Sequence, residues 1–322
     1  MPASENEVRI GVRANVSAGR VAACAVVVLN CNGRQLLSDC LDSLQKQTVT
    51  NFETVVVDNG SSDGSLELLA EKYPLVRVLP LGTNMGFSIA NNVAIRDAMA
   101  RNMDDVLLLN NDTIVAPDFV AEMLAAIAKD ERIGAVCPKI YFASEPTTIW
   151  YAGGGFSPWS YSRARHRGWR EVDRGQFDSE TEITLATGCA MLVRCSALPA
   201  VGLLDEKLWA YMEDTEWSVR FLENGYKLVF APRARVWHHS QATWVKKIGS
   251  GSHAPSQYLA TRNCLLIARR HARWWQIPTY VLGFLLRHVT FYTALRLWRR
   301  DFRAAWAIYR GIGAFIFDKP SP

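Results

Sequence analysis

Residues 22–33 read AACAVVVLNCNG: an unbroken apolar run, Ala22–Leu29, halted by Asn30 and an Asn-Gly turn. A run this short and this uniformly apolar predicts a strand covered on both faces, which implies a parallel sheet with helices on either side. The chain then repeats that rhythm. Leu36, Leu37, Leu41 and Leu44 fall at helical spacing within residues 34–47, and Glu53–Val57 is a second β-branched strand stopping at Asp58. Residues 59–65, NGSSDGS, gather turn formers and N-caps ahead of a helix over Leu66–Tyr73. Strands over Val76–Leu79, Val106–Leu109 and Ile133–Ile140 alternate with helices over Gly86–Asn102 and Pro117–Lys129. This alternation predicts an α/β fold with an open, mostly parallel sheet flanked by helices.

Beyond residue 140 the rhythm breaks. Residues 144–182 mix glycines, aromatics and arginines without clear period and are expected to form an excursion loop over the sheet. Order returns with a strand over Leu185–Arg194, a helix over Leu208–Glu223 closed by Asn224-Gly225, and a strand over Tyr226–Phe230. From Tyr258 the chain turns helical, basic and aromatic. The expected organisation is a loose polar leader at 1–20, a body at 21–257 and a tail at 258–322. Within the body, the break in rhythm divides 21–140 from 141–257. The leader lacks the apolar core of a signal peptide.

Composition narrows the class. With 49% hydrophobic and 21% charged residues in 322, the chain is neither disordered, collagenous nor a disulfide scaffold. Most of it lacks any apolar run near the ~20 residues of a spanning helix, which excludes a multi-span protein. The net charge of +5 conceals an asymmetry. From Arg233 onward, 15 basic residues face only Asp301 and Asp318, a balance of +13, leaving −8 for the front. An acidic front and a basic back suggest a catalytic body with an anion-seeking tail. The seven cysteines are irregularly spaced without a Cys-x-x-Cys pair, as expected of buried thiols in a reducing cytosol.

Ligands of open α/β sheets bind beyond the carboxyl ends of the strands, and that rule selects the candidates. Asn30 ends the first strand. Asp58 ends the second and suits a base or ribose, or a turn cap. Gly82–Asn92, with Asn84 and Gly86, suits close backbone approach to a ligand. Asn110, Asn111 and Asp112 follow an apolar strand; they suit a hard cation, Mg²⁺ or Mn²⁺, or a plain Asx turn. Glu213, Asp214 and Glu216 stand among aromatics at a helix start, as a general base and its neighbours or as a solvated face. His238 follows the last strand and suits a metal or phosphate, or a structural role.

Taken together, VVVLNCNG, VVVDNGSSDGS, GTNMGFSIANN, LLLNNDT, TGCAMLVR, LLDEKLWAYMEDTEWSVRFLENGYKL, VWHHSQAT and YLATRN resemble glycosyltransferase family 2 over residues 22–270. The resemblance extends to the bacterial rhamnosyltransferase-like enzymes of polysaccharide assembly. It implies the GT-A fold and an inverting hexosyltransferase. It places the nucleotide of a dTDP or UDP sugar at Asn30 and Asp58, with Asn84, Gly86, Asn110 and Asn111 lining the donor pocket. Asp112 matches the last carboxylate of a DXD motif and His238 a metal- or diphosphate-associated histidine. Gly188, Cys189 and Ala190 shape the sugar and acceptor pocket, beside Glu213 and Trp217. Asp214 matches the catalytic base, and Arg262-Asn263 belong to a Tyr-x-x-x-Arg-Asn string. Two departures stand out: Asn110-Asn111-Asp112 keeps a single carboxylate, and His239-Ser240-Gln241-Ala242-Thr243 replaces the usual glycine-bearing run.

The expected acceptor is a hydroxyl of a glycan or polyprenyl-diphosphate-linked sugar. The tail, with Trp274–Leu286 uncharged, Arg287 and His288 interrupting, and Arg296, Arg299, Arg300 and Arg303 beyond, suggests an interfacial helix on an anionic leaflet. That would place the protein in the cytoplasm, peripheral on the inner face of the membrane, with no nucleic-acid partner. The bland alternative is a packed helical hairpin or a homo-oligomer contact. A sugar-phosphate nucleotidyltransferase would need a denser Gly-rich basic loop after the first strand. A dehydrogenase would need G-x-G-x-x-G there. A non-catalytic membrane or nucleic-acid module would give Asp58, Asp112 and Asp214 no role.

Overall fold

A computed structural model describes residues 23–157, 160–240 and 252–317. The leader and Gln241, Ala242 and Thr243 of the string above lie outside the described residues. Strand β1 (Cys24–Asn30) is buried almost throughout, as its apolar run requires. It pairs in parallel with β2 (Phe52–Asp58) on one side and β4 (Asp105–Asn110) on the other, and β2 pairs in parallel with β3 (Arg77–Pro80). Crossover helices α1 (Arg34–Leu44), α2 (Ser65–Lys72) and α3 (Gly86–Ala100) connect these strands. Each buries a leucine- or alanine-bearing stripe, such as Leu37, Cys40, Leu41 and Leu44 of α1.

The second half of the sheet mixes directions. After β5 (Thr113–Val115) and α4 (Phe119–Ile127) comes β6 (Ile133–Phe142), buried along its whole length. Strand β11 (Ala190–Arg194) inserts antiparallel between β4 and β6. Strand β12 (Lys227–His238) lies parallel on the far side of β6. With β10 (Thr181–Ile183) at one edge, the order is β10-β12-β6-β11-β4-β1-β2-β3, so the carboxyl ends of β1, β2, β4, β6 and β12 share one edge.

Four expectations from sequence need correction. The strand expected over Leu185–Arg194 begins only at Ala190. Residues 144–182 are not a plain loop: they form β7 (Glu145–Tyr151), the ribbon β8 (Gly154–Ser157) with β9 (Ser160–His166), and β10 (Thr181–Ile183). Here pairing with β6 and β12, together with buried Lys139 bonded to Asp173 and Asp178, supplies the order that period did not reveal. Strand β12 continues past Phe230 to His238, because a register shift between Ala231 and Arg235 absorbs Pro232. Helix α6 begins only at Glu213; residues 209–212 are held in an irregular loop.

A short helix α5 (Leu198–Val201) precedes α6 (Glu213–Glu223). The tail forms α7 (Ala254–His271), then α8 (Ile277–Phe284), a π-helical turn (Leu285–Phe291), α9 (Tyr292–Trp298) and α10 (Phe302–Ile316). Val219 of α6 packs with Cys264, Ile267, Tyr280 and Phe284, which joins the tail to the body. Among the described residues, no helix is long and apolar enough to cross a membrane. None of the seven cysteines forms a disulfide, and all but Cys31 are buried.

Candidate functional site

The register of the parallel strands builds the nucleotide edge. Asn30 stands level with Asp58 across the β1–β2 pair, and Leu29 with Asn110 across β1–β4. Asn30 is fully buried. Its amide donates to Asp58 Oδ2 (3.2 Å) and Ser61 Oγ (3.1 Å), and its Oδ1 accepts from Asn111 Nδ2 (2.6 Å). Asp58 Oδ1 takes the Ser61 backbone N–H at 3.0 Å, so the turn-cap role and the strand-end placement coexist. The Asn111 amide crosses directly over Gly33, where a Cβ would overlap it; this explains glycine at that position. Asn59, which sequence reading passed over, ties in the next loop. Its amide donates to Asn84 Oδ1 (3.1 Å) and the Gly86 carbonyl (3.2 Å), while Asn84 Oδ1 accepts the Gly86 N–H at 3.0 Å.

The cation candidates also meet. Antiparallel pairing sets His238 of β12 opposite Thr113 of β5, and the His239 N–H donates to the Asp112 carbonyl at 2.8 Å. That register brings His238 Nε2 to 3.2 Å from Asp112 Oδ1, both side chains being nearly buried. Without a cation, burial opposes a charge on His238, yet Cys189 and the Asp112 carboxylate outweigh it and raise its pKa to about 10; a divalent ion held here would take the place of that proton. Trp150 presses its ring edge-on against His238 at 4.9 Å. One carboxylate oxygen and one imidazole nitrogen at this separation fit a divalent ion: cis ligands of an octahedral ion at about 2.1 Å are themselves about 3 Å apart. Such ions complete their shell with water and phosphate oxygens. No cluster of three or more potential ligands occurs among the described residues, so the pair would serve with substrate oxygens.

The acid pair opens α6. Asp214 Oδ2 accepts the Gly188 N–H at 3.1 Å, and Oδ1 accepts the Thr215 N–H at 2.7 Å. Glu213 is buried with no hydrogen bond to Oε2. Burial, then the Asp214 charge, pushes its pKa from 4.5 up to about 8. Burial raises Asp214 as well, but its three donors, including Thr215 Oγ1, favour the ion there. Both carboxyls are raised, and the donors to Asp214 make Glu213 the readier of the two to hold a proton.

Two residues expected at the site sit elsewhere. Trp217 is fully buried in the main core, its indole donating to the Gly202 carbonyl at 2.8 Å and its ring 5.4 Å from Phe221. It therefore cannot line an acceptor pocket. Glu216 is neutralised by Arg220 (2.7 Å) and His271 (3.2 Å), which removes it as a base. Conversely, Trp209 belongs to the site without having been singled out: its carbonyl accepts the N–H groups of Phe87 (2.6 Å) and Ser88 (3.2 Å), and its ring covers Gly86.

Comparison with known proteins identifies the arrangement. The family model of glycosyl transferase family 2 matches residues 25–202. An N-acetylglucosaminyl-diphospho-decaprenol L-rhamnosyltransferase of Mycobacterium tuberculosis is 29% identical over 265 residues, covering 74% of this chain and 81% of its own. The dTDP-rhamnosyl transferase RfbF of Shigella flexneri is 25% identical over 227 residues, covering 69% and 72%. Two solved structures share the fold. The mannosyltransferase PcManGT of Pyrobaculum calidifontis, in complex with GDP-Man and Mn²⁺, has a TM-score of 0.55 at 15% identity and covers 93% of this chain and 88% of its own. The S. aureus TarS 1–349 structure has 0.56 at 18%, covering 84% and 74%. The chain is thus a GT-A glycosyltransferase of the rhamnosyltransferase-like kind, and it belongs to glycosyl transferase family 2.

Proposed function

We propose that the protein transfers a deoxyhexose, rhamnose as in its relatives, from a nucleotide-diphosphate donor to a hydroxyl of a lipid-diphosphate-linked acceptor, with inversion. The observation that carries this reading is the junction at Gly188–Cys189. Gly188 donates its N–H to Asp214, while the Cys189 thiol lies against His238 beside Asp112. One peptide unit thus joins the acid that takes a proton to the pair that faces the diphosphate. In the reaction the acceptor hydroxyl oxygen bonds to the anomeric carbon from the face opposite the leaving group. Asp214 takes the hydroxyl proton, and the bond to the diphosphate oxygen breaks with its electron pair. Glu213, protonated, leaves the negative charge to Asp214. Asn30, Asp58 and Asn111 hold the nucleoside end against the strand termini, and Asn84 and Gly86 line the donor. A divalent ion, Mg²⁺ or Mn²⁺, held by Asp112 and His238, would neutralise the charge developing on the diphosphate.

The nucleotide-binding part at 21–140, the acceptor part at 141–257 and the tail at 258–322 keep these separate roles in the proposal. The tail gives the lipid-linked acceptor a reason. Trp274, Trp298, Trp306 and Phe317 are 82%, 79%, 66% and 74% exposed, and Arg299, Arg300 and Arg303 are exposed among them. Tryptophan with arginine suits an anionic leaflet, about 1 kcal/mol per basic residue near the surface. Arg296, expected in that row, is buried instead, within reach of the Asp301 charge.

The testing experiment is transfer from dTDP-rhamnose and UDP sugars, with Mn²⁺, by the wild type and Asp214→Asn. Loss of at least about 10²-fold in turnover with donor binding kept is expected; near-normal turnover in the variant refutes the assignment. Sedimentation with anionic vesicles tests the tail. Binding that fails at low salt, or self-association in place of it, refutes the membrane role.

A further inference from the structure

Loop 207–212 connects the donor pocket to the acid pair, and its backbone is strained. Trp209 (φ 56°, ψ −60°), Tyr211 (φ 67°) and Met212 (φ 71°) all carry positive φ, which bulky residues rarely adopt. Trp209 centres a tight turn closed by the Ala210 N–H on the Leu208 carbonyl at 2.6 Å, a rare and strained form. Such backbone persists only where its surroundings over-determine it. On one side the surroundings are the N-terminus of α3, whose Phe87 and Ser88 N–H groups take the Trp209 carbonyl. On the other side is α7.

Asn263 of α7 is fully buried. Its amide nitrogen reaches the carbonyls of Leu208 (2.8 Å), Ala210 (3.0 Å) and Tyr211 (2.8 Å). Arg262 Nη1 adds the Lys207 carbonyl at 3.0 Å and steadies the Asn263 side chain by donating to its Oδ1, also at 3.0 Å. Four carbonyls of one irregular loop are therefore gathered by two adjacent side chains of a helix outside the sheet. The next residue after the loop is Glu213, and Asp214 follows. Shifting the loop moves the first turn of α6 against Gly188 and shifts Trp209 over Gly86.

We infer that Asn263 is a positioning residue for glycosyl transfer: it fixes loop 207–212 and through it sets Asp214 against the acceptor and Trp209 against the donor loop. The tail helix is thereby part of the catalytic apparatus, whatever its outer face touches. The inference rests on the reading of Asp214 as the base, so Asp214→Asn is run alongside.

The experiment measures kcat, the donor KM and the melting temperature for the full-length wild type, Asn263→Ala and Asn263→Ser. Ile308→Ala serves as a control: it removes a fully buried side chain from α10 that donates to none of the loop carbonyls. Asn263→Ala is expected to lower kcat at least about tenfold while the donor KM stays within about threefold. Asn263→Ser, which keeps one donor, should recover part of that loss, and Ile308→Ala should lower the melting temperature without lowering kcat. If Asn263→Ala does not fold, Asn263→Ser is read against the wild type by the same kcat criterion. Wild-type kcat in the Asn263 variants, or an equal kcat loss in Ile308→Ala at the same melting temperature, overturns the inference. A fully active Asp214→Asn overturns instead the assignment of the base.

Discussion

Glu213→Gln separates the two acids by a route that needs no substrate. The folded protein keeps a proton on Glu213 up to about pH 8, because burial and the adjacent Asp214 charge oppose its ionisation, whereas the unfolded chain releases it near 4.5. The native state therefore binds more protons throughout that window, and stability falls as pH rises from 4.5 to 8. At 1.36 kcal/mol per pH unit the ceiling is about 5 kcal/mol. Relaxation around a charge in a polar interior leaves about 2 kcal/mol of it. Glutamine has the same shape and cannot ionise. At about 2.1 cal/mol/K of unfolding entropy per residue, a chain of 322 residues shifts its melting temperature by about 1.5 °C per kcal/mol. Relative to the wild type, Glu213→Gln should therefore gain roughly 3 °C more at pH 8.5 than at pH 5. Thermal unfolding followed by circular dichroism at the two pH values measures it. A difference between variant and wild type that does not change with pH refutes the protonated Glu213.

Three further outcomes follow from the site. Gly86→Ala puts a Cβ 2.5 Å from the Trp209 ring at φ +86°; it should cost about 1–2 kcal/mol for the backbone alone and raise the donor KM, read by thermal unfolding and initial rates. Asp112→Asn should weaken nucleoside-diphosphate binding in Mn²⁺ at least about tenfold by calorimetry, about 1.4 kcal/mol, and make the residual binding indifferent to EDTA; unchanged affinity removes Asp112 from the cation site. His271→Gln should destabilise by about 1–3 kcal/mol at pH 6. The folded pKa of His271 is raised against burial by Glu216 and Glu223, so its contribution is complete below about 6.5 and fades as pH rises through the folded value; a loss that is constant to pH 9 contradicts the ion pair.

The parallel half of the sheet was legible because both its faces are covered. Burial on two sides makes a strand uniformly apolar, and Cys24–Asn30 or Asp105–Asn110 cannot be read as anything that tolerates water. The ligand edge follows from the same rule, since Asn30, Asp58 and Asn110 are where each run stops. Residues 144–182 resisted reading because their order comes from partners far away in sequence. Tyr151 pairs with Ile140, Lys139 recruits Asp173 and Asp178, and Trp150 meets His166 and His238 edge-on. None of these contacts imposes a period on the segment itself.

Trp217 and Glu216 show the same limit inside the site. Both stand within three residues of Asp214, so proximity in sequence argued for both. Helix geometry turns Glu216, two residues on, to the far side of α6 toward Arg220 and His271, whereas Trp217, nearly one turn on, is drawn into the core at Gly202 and Phe221. The loop ahead of them was illegible for a different reason. Propensity alone lets Trp209, Tyr211 and Met212 continue a helix; three buried carbonyl bonds to Asn263, more than fifty residues downstream, turn them into positive-φ backbone instead. Local strain that is held by a distant amide leaves no local trace in sequence. The Tyr-x-x-x-Arg-Asn string was visible, but its work is visible only beside the carbonyls it gathers.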